Sequence, residues 1–377
     1  MKYINFTKDK VEVSRLGFGL MRLPIIEDDN SLIDYKKSRE LIDLALESGI
    51  TYFDTAYVYH GKQGEIFTGE VLKDHRDKIK IATKCPVWQI EKEEDFDYLL
   101  DIELQKLQTD YIDFYLLHSL DREKFENVKK HNVYNRALKA KKAGKIKYLG
   151  FSFHDNLELF KEIIDTYDFD FCQIQLNYLD EGYQAGLEGL KYAKDKGLGV
   201  IIMEPLRGGQ LANLPQSITE KLGDDTPANL GFSYLLNKGL VDIVLSGMNT
   251  KEQIIENCKT FSEVEADSLD ADSLEKIDYL KNEMKARIKI DCTGCSYCMP
   301  CPAGVEIPDI FRAYNNKYIF EDEKKSVETY ERIQKRNAGK EACVKCGKCE
   351  SKCPQQLQII AGLEKAHQDL AGGSNEK

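Results

Sequence analysis

Two sets of side chains stand at spacings that could do chemistry. Cys292, Cys295, Cys298 and Cys301 precede Pro302, and Cys343, Cys346, Cys349 and Cys353 precede Pro354, so eight of the eleven cysteines fall in two short runs. Three thiolates at i, i+3 and i+6 can wrap three corners of an iron–sulfur cubane and leave the fourth to a remote cysteine followed by proline. A structural zinc site instead closes one tetrahedron from two Cys-x2-Cys pairs, which keeps a pair of zinc ions as the alternative. The second set is Asp54, Tyr59, Lys84 and His118. A phenol is a poor acid near neutrality because its pKa is about 10. A nearby ammonium favours the phenolate, and a carboxylate paired with that lysine keeps it charged and in place. An imidazole beside them can orient a carbonyl by hydrogen bonding. Together they make a proton donor aimed at a carbonyl oxygen, which hydride reduction requires. Singly, each has a plainer explanation: most of the twenty tyrosines belong to core or rim, and a strand-end Asp or Lys is usually a cap or a solvated charge.

What must position these residues is a regular alternation of short β-branched or aromatic runs with longer amphipathic stretches. The predicted strands are Arg15 to Gly17, Thr51 to Asp54, Ile79 to Lys84, Ile112 to Leu117, Tyr148 to Phe151, Phe171 to Gln175, Val200 to Met203 and Ile243 to Leu245, with helices such as Asp95 to Leu107 and Leu157 to Tyr167 between them. Asp54 and Lys84 each end one of these strands, and His118 follows another. Such alternation implies a parallel α/β sheet, either open and doubly wound or closed into a (β/α)8 TIM barrel, and the length of the segment favours the barrel. The first βα turn reads Gly17-Phe-Gly19-Leu-Met-Arg22, without the third glycine of a dinucleotide-binding open sheet. Residues 3 to 13 read as a hairpin across the barrel bottom, and an acidic helical segment including Leu269 to Met284 leads to the cysteines. The expected division is a barrel over residues 1–285, a small iron–sulfur domain over 286–370 and a flexible tail over 371–377. With 377 residues and a net charge of -11, the chain lacks the basic face that nucleic acid needs. It shows neither a signal peptide nor a membrane-spanning run, so a soluble cytoplasmic protein is expected, whose clustered thiols bind metal rather than pair as disulfides. Cys85, Cys172 and Cys258 are scattered and read as packing residues.

Phe53-Asp54-Thr55-Ala56-Tyr57-Val58-Tyr59 with Glu65 beyond, Thr83-Lys84 and Leu116-Leu117-His118 resemble the aldo/keto reductase family. The resemblance runs in order through residues 15 to 260. It implies the barrel, a nicotinamide cofactor bound without a Rossmann fold, Tyr59 as general acid/base, Lys84 and Asp54 as its partners, and His118 as orienter of the substrate carbonyl. It further implies that Ser152, Gln173 and Asn177 hold the carboxamide, that Met203 lies against the nicotinamide, and that Pro205, Leu206, Arg207 and Gly208 cradle the pyrophosphate. Gly247, Met248, Gln253, Glu256 and Asn257 fall in the adenosine-binding stretch. Relatives selective for NADP carry a lysine near Gly247 and an arginine near Gln253; neither is present, which points to NAD or dual use. Trp88, Cys85 and Tyr57 are candidate pocket walls, and Ser119 to Val133 reads as an insertion at the mouth.

The cysteine runs resemble bacterial ferredoxins with two 4Fe-4S clusters. That resemblance implies one cluster on Cys292, Cys295, Cys298 and Cys353 and a second on Cys343, Cys346, Cys349 and Cys301, with a helical insertion between the runs. The first run ends Cys-x2-Cys-Pro where the pattern has x3. The expected function is therefore oxidation or reduction of a small carbonyl or alcohol by NAD(P), coupled to or stabilised by two clusters. The alternative is a redox sensor or electron-transfer subunit on a barrel scaffold. A nicotinamide delivers two electrons together and each cluster takes one, so coupling calls for a flavin, for which no motif is recognisable, or for exchange with an external ferredoxin or another redox protein.

Overall fold

The computed structural model describes residues 1–27, 29–292, 294, 297–353 and 355–371. Cys295, Pro354 and the tail from Gly372 to Lys377 lie outside the described residues. Eight parallel strands close a barrel in chain order: β1 (Leu16–Gly19), β2 (Tyr52–Asp54), β3 (Lys80–Cys85), β4 (Ile112–Leu120), β5 (Ile146–Phe153), β6 (Phe171–Gln175), β7 (Gly199–Met203) and β8 (Ile243–Ser246). The strands match the predicted runs to within a few residues. The clearest difference is at β4, which continues past His118 to Leu120 through an irregularity and pairs with Phe153 of β5. Helices outside the barrel start where side chains can satisfy their unpaired amides: Asp34 accepts from Lys37 N–H, and Thr226 accepts from Asn229 N–H with Pro227 in the first turn.

Side chains alternate inward and outward along each strand, and this period places the chemistry. Tyr52, Ala82, Phe114 and Leu116 belong to the interior layer, so Asp54, Lys84 and His118, two residues beyond, face the barrel axis at its C-terminal end. The N-terminal hairpin, Tyr3–Phe6 paired with Val11–Ser14, closes the opposite end. Phe6 there is 1% exposed and packs against Phe114 and Phe171, with ring centroids 5.5 and 5.9 Å away. Burying such a ring is worth roughly 1.5–3 kcal/mol. A Cβ on residue 199 would come within 2.3 Å of the Phe6 ring, so Gly199 is what admits the plug.

The stretch expected as an insertion at the mouth is a helix, Arg122–Lys130, capped by Asp121 and anchored by buried Phe125 and Val128. The Ala271–Ala286 helix packs Ile277, Leu280 and Met284 into the main core. A second, separate core begins with Ile290. It is built by the helices Ile307–Ile319, Glu323–Lys335 and Ile359–Ala371, the first two supplying the predicted helical insertion between the cysteine runs. Val305 is fully buried there, and Leu357 packs against the same core.

Candidate active site

At the C-terminal end of the barrel Lys84 Nζ donates to Asp54 Oδ1 at 2.5 Å, to the Thr55 carbonyl at 2.8 Å and to Tyr59 Oη at 3.4 Å. Lys84 and Asp54 are 1% and 2% exposed. Burial alone would strip charge from Lys84, but the Asp54 carboxylate and the Tyr59 oxygen outweigh it and hold the ammonium above its ordinary pKa. For Tyr59 burial dominates and pushes the phenol up, while Lys84 pulls it down. The phenol thus rests protonated, with the ammonium placed to receive a phenolate. Desolvation is a larger effect on Tyr59 than the pull of lysine expected from the sequence. Burial, reinforced by Lys84, keeps the His118 imidazole neutral, far below its usual pKa. Its Nδ1 has no partner among the described residues.

Neighbouring elements fix this geometry. His60, beside Tyr59 in the chain, sets its ring nitrogens 3.1 Å from the Asn30 carbonyl and 3.0 Å from that of Leu20, pinning the turn. Glu65 is fully buried and accepts from Thr83 Oγ1 at 2.6 Å and Lys106 Nζ at 3.2 Å, tying the helix after Tyr59 to β3. Trp88 covers His118 from the mouth, ring centroids 5.2 Å apart. Cys85 and Tyr57 do not reach this space. Both point into the layer between barrel and helices, as Cys85 must, being one residue out of phase with Lys84.

A cavity of about 540 Å³ opens from these residues. Asp54, Tyr59, His118, Gln173, Met203, Pro205, Leu206, Gly208, Gly247, Gln253, Glu256 and Asn257 all line it. Gln173 presents a buried Oε1 with no partner among the described residues, a fit for a carboxamide N–H. Four of the expected contacts are placed otherwise. Ser152 accepts from Ser119 N–H at 2.7 Å, and Asn177 is spent on its own turn, accepting from Leu179 and Asp180 N–H. Met248 is 1% exposed within the barrel–helix core. Arg207 turns away because the backbone is left-handed at Glu204 and again at Arg207, and its Nε lies 3.4 Å from Asp180 Oδ2. His154 and Arg22 also line this cavity, beyond the residues expected from the sequence. His154 shares the inward phase of Ser152, and burial depresses its pKa to about 4. Arg22 packs its side chain against Gly208 and Gly247, so this end of the cavity does carry a cation, supplied by the turn after β1.

A family model described as the aldo/keto reductase family matches residues 15–281. The chain belongs to the aldo/keto reductase family. L-galactose dehydrogenase of Arabidopsis thaliana is 26% identical over 309 residues, covering 73% of this chain and 92% of that protein. Methylglyoxal reductase DkgA of Yersinia pestis is 27% identical over 287 residues, covering 74% and 89%. The holo form of aldo-keto reductase AKR11C1 from Bacillus halodurans superposes with a TM-score of 0.62 at 25% identity, over 74% of this reductase and 95% of that chain. A 4Fe-4S dicluster domain model matches residues 291–358. The protein is thus an oxidoreductase of the aldo/keto reductase family carrying a C-terminal 4Fe-4S domain.

In that domain Cys301, Cys343, Cys346 and Cys349 line one small cavity with Val305 and Leu363. These are the four thiols that the ferredoxin pattern assigns to one cluster. Cys292, Cys298 and Cys353 pack on the same core, and Cys295 lies outside the described residues. Soft thiols around a shared cavity suit an iron–sulfur cluster.

Proposed function

We propose that this chain transfers hydride between NAD(P) and a small carbonyl or alcohol, with Tyr59 as general acid/base, in a barrel module that ends near residue 285 and adjoins a module with two 4Fe-4S clusters. The observation that carries the reading is Lys84, a buried ammonium bonded at once to Asp54 and Tyr59. A bound nicotinamide supplies the hydride; the chain's residues supply the proton and the placement. In reduction, neutral His118 donates a hydrogen bond to the substrate oxygen, and Tyr59 gives that oxygen its proton as negative charge grows there. Lys84 then stabilises the phenolate, and Asp54 keeps Lys84 charged through the cycle. Gln173 would take the carboxamide, Met203 would flank the ring, and Arg22 with the Pro205–Gly208 turn would meet the pyrophosphate. The clusters would exchange electrons with an external redox protein such as a ferredoxin, and the setting is the reducing cytoplasm.

The test is steady-state turnover of simple aldehydes with NADH and with NADPH, in the native protein and Tyr59→Phe. General acid–base catalysis is worth about 10²–10⁴-fold, so kcat should fall by that factor with binding of the cofactor unchanged. Equal turnover in the two proteins would overturn the role of Tyr59. A strong preference for NADPH would overturn the expectation of NAD or dual use.

A further inference from the structure

A second cavity of about 560 Å³ lies between the barrel and the cluster domain and is as large as the first. The barrel contributes Leu179, Tyr183 and Arg207 to it, and the cluster domain contributes Ile288, Cys292 and Arg312. Both sizes fall in the ~300–1,000 Å³ range of ligand pockets. One turn of chain divides the two spaces: Pro205, Leu206 and Gly208 line the first, and Arg207 between them lines the second. The junction is tight beside it, since a Cβ on left-handed Gly294 would fall 2.0 Å from the Tyr183 ring.

Two guanidinium groups face this cavity, and one of them has a donor to spare. Arg207 is 13% exposed, and its Nη1 is buried with no partner among the described residues, its one ion pair being through Nε to Asp180. Arg312 lies 4.7 Å over the Tyr183 ring, which holds it in place, and it feels the charges of Asp180, Asp309 and Glu204. Lys285 adds a third cation at the rim, against Asp180 and Asp291. A buried donor without an acceptor costs about 1–3 kcal/mol, more when charged, unless something accepts from it. Planar guanidinium forks match phosphate oxygens, and a pair of them matches a dianion. Asn315 adds a neutral polar side chain, and Leu179, Ile288, Pro308 and Ile319 make an apolar stretch of wall that would take a flat ring system.

We propose that this interdomain cavity is a second ligand site that takes a flavin mononucleotide, with the phosphate on Arg207 and Arg312 and the ring on the apolar wall. A flavin takes a hydride from a reduced nicotinamide and a proton from solvent, then passes the two electrons one at a time to two oxidised 4Fe-4S clusters and releases both protons. That property suits a site with the hydride-transfer cavity behind one wall and Cys292 of the first cysteine run in the other. The proposal does not rest on the catalytic role of Tyr59.

The experiment is anaerobic titration of flavin mononucleotide with the full-length, cluster-loaded protein, followed by quenching of flavin fluorescence. Riboflavin, which lacks the phosphate, and inorganic phosphate alone are run in parallel, each with and without saturating NAD+. The expected result is saturable quenching that survives NAD+, is about tenfold weaker for riboflavin, and is competed by phosphate. Arg207→Gln and Arg312→Gln should each weaken flavin mononucleotide about tenfold while keeping the cluster absorbance, and Arg312→Lys should recover part of the loss. Absence of quenching, equal binding of riboflavin, displacement by NAD+, or indifference to all three substitutions would each overturn the proposal.

Discussion

Replacing Lys84 with methionine should separate what the buried ion pair does for stability from what it does for chemistry. Lys84 and Asp54 are 1% and 2% exposed and meet at 2.5 Å. Removing one partner of such a pair leaves a carboxylate without its counter-charge and costs about 3–5 kcal/mol, against a total stability of ~5–15 kcal/mol for a typical protein. The second Asp54 oxygen, Oδ2, already lacks a partner among the described residues, so no neighbour stands ready to compensate. In the variant the folded Asp54 would hold a proton to higher pH than the unfolded chain does. Its deficit should therefore be largest at neutral pH and shrink as pH falls toward 5. Adding Asp54→Leu removes the stranded charge, and the double variant should regain most of the stability. Its activity should stay about 10²-fold or more below native, because Tyr59 still lacks its ammonium. Urea unfolding followed by the single tryptophan, Trp88, reports on the barrel mouth directly, since that ring lies tilted against His118. Full stability in Lys84→Met, or activity restored in the double variant, would refute the reasoning.

Arg22→Gln should raise the Kd of NAD+ and NADP+ alike, about tenfold each, if Arg22 meets the pyrophosphate; titration calorimetry with both cofactors checks this, and an effect confined to NADP+ would place it at the 2'-phosphate instead. Glu103 is fully buried, accepts from Tyr115 O–H at 2.5 Å, and is held protonated by burial. The native fold therefore binds a proton that the unfolded chain releases above its carboxylate pKa, so native stability is lost as pH rises. Glu103→Gln should be near neutral at pH 4 and gain on native at roughly 1.4 kcal/mol per pH unit above that, until the buried carboxyl itself ionises; denaturant midpoints across pH measure it. Stripping iron from the holoprotein should open the segment after residue 290 to protease while leaving the Trp88 signal unchanged, because the two parts have separate cores.

The barrel and its reactive set were legible because both follow from one period. Asp54 and Lys84 stand at strand ends in phase with interior residues, and that pattern is written locally. The same period would have excluded Cys85, one step from Lys84, and would have included His154, two steps from Ser152. Arg207 was misplaced for a different reason: its direction depends on left-handed backbone at Glu204 and Arg207, which is held by tertiary contacts and has no periodic signature. Arg22 reaches the cofactor end from a turn distant in sequence. The interdomain cavity was invisible, since it exists only where the Ile307–Ile319 helix meets the loop carrying Tyr183.

The separation of the two hydrophobic cores also orders the molecule's manufacture. Every barrel strand precedes the first cluster cysteine in the chain, and domains tend to fold as they leave the ribosome, N-terminal first. The eight strands can close while the thiols are still being translated, with Ile319 of the later chain still to pack on the main core, so iron and sulfide delivery becomes a finishing step performed on an already closed barrel. A cell short of iron would then accumulate protein with an intact barrel and an unfinished C-terminal part, and the supply of metal would set which form predominates.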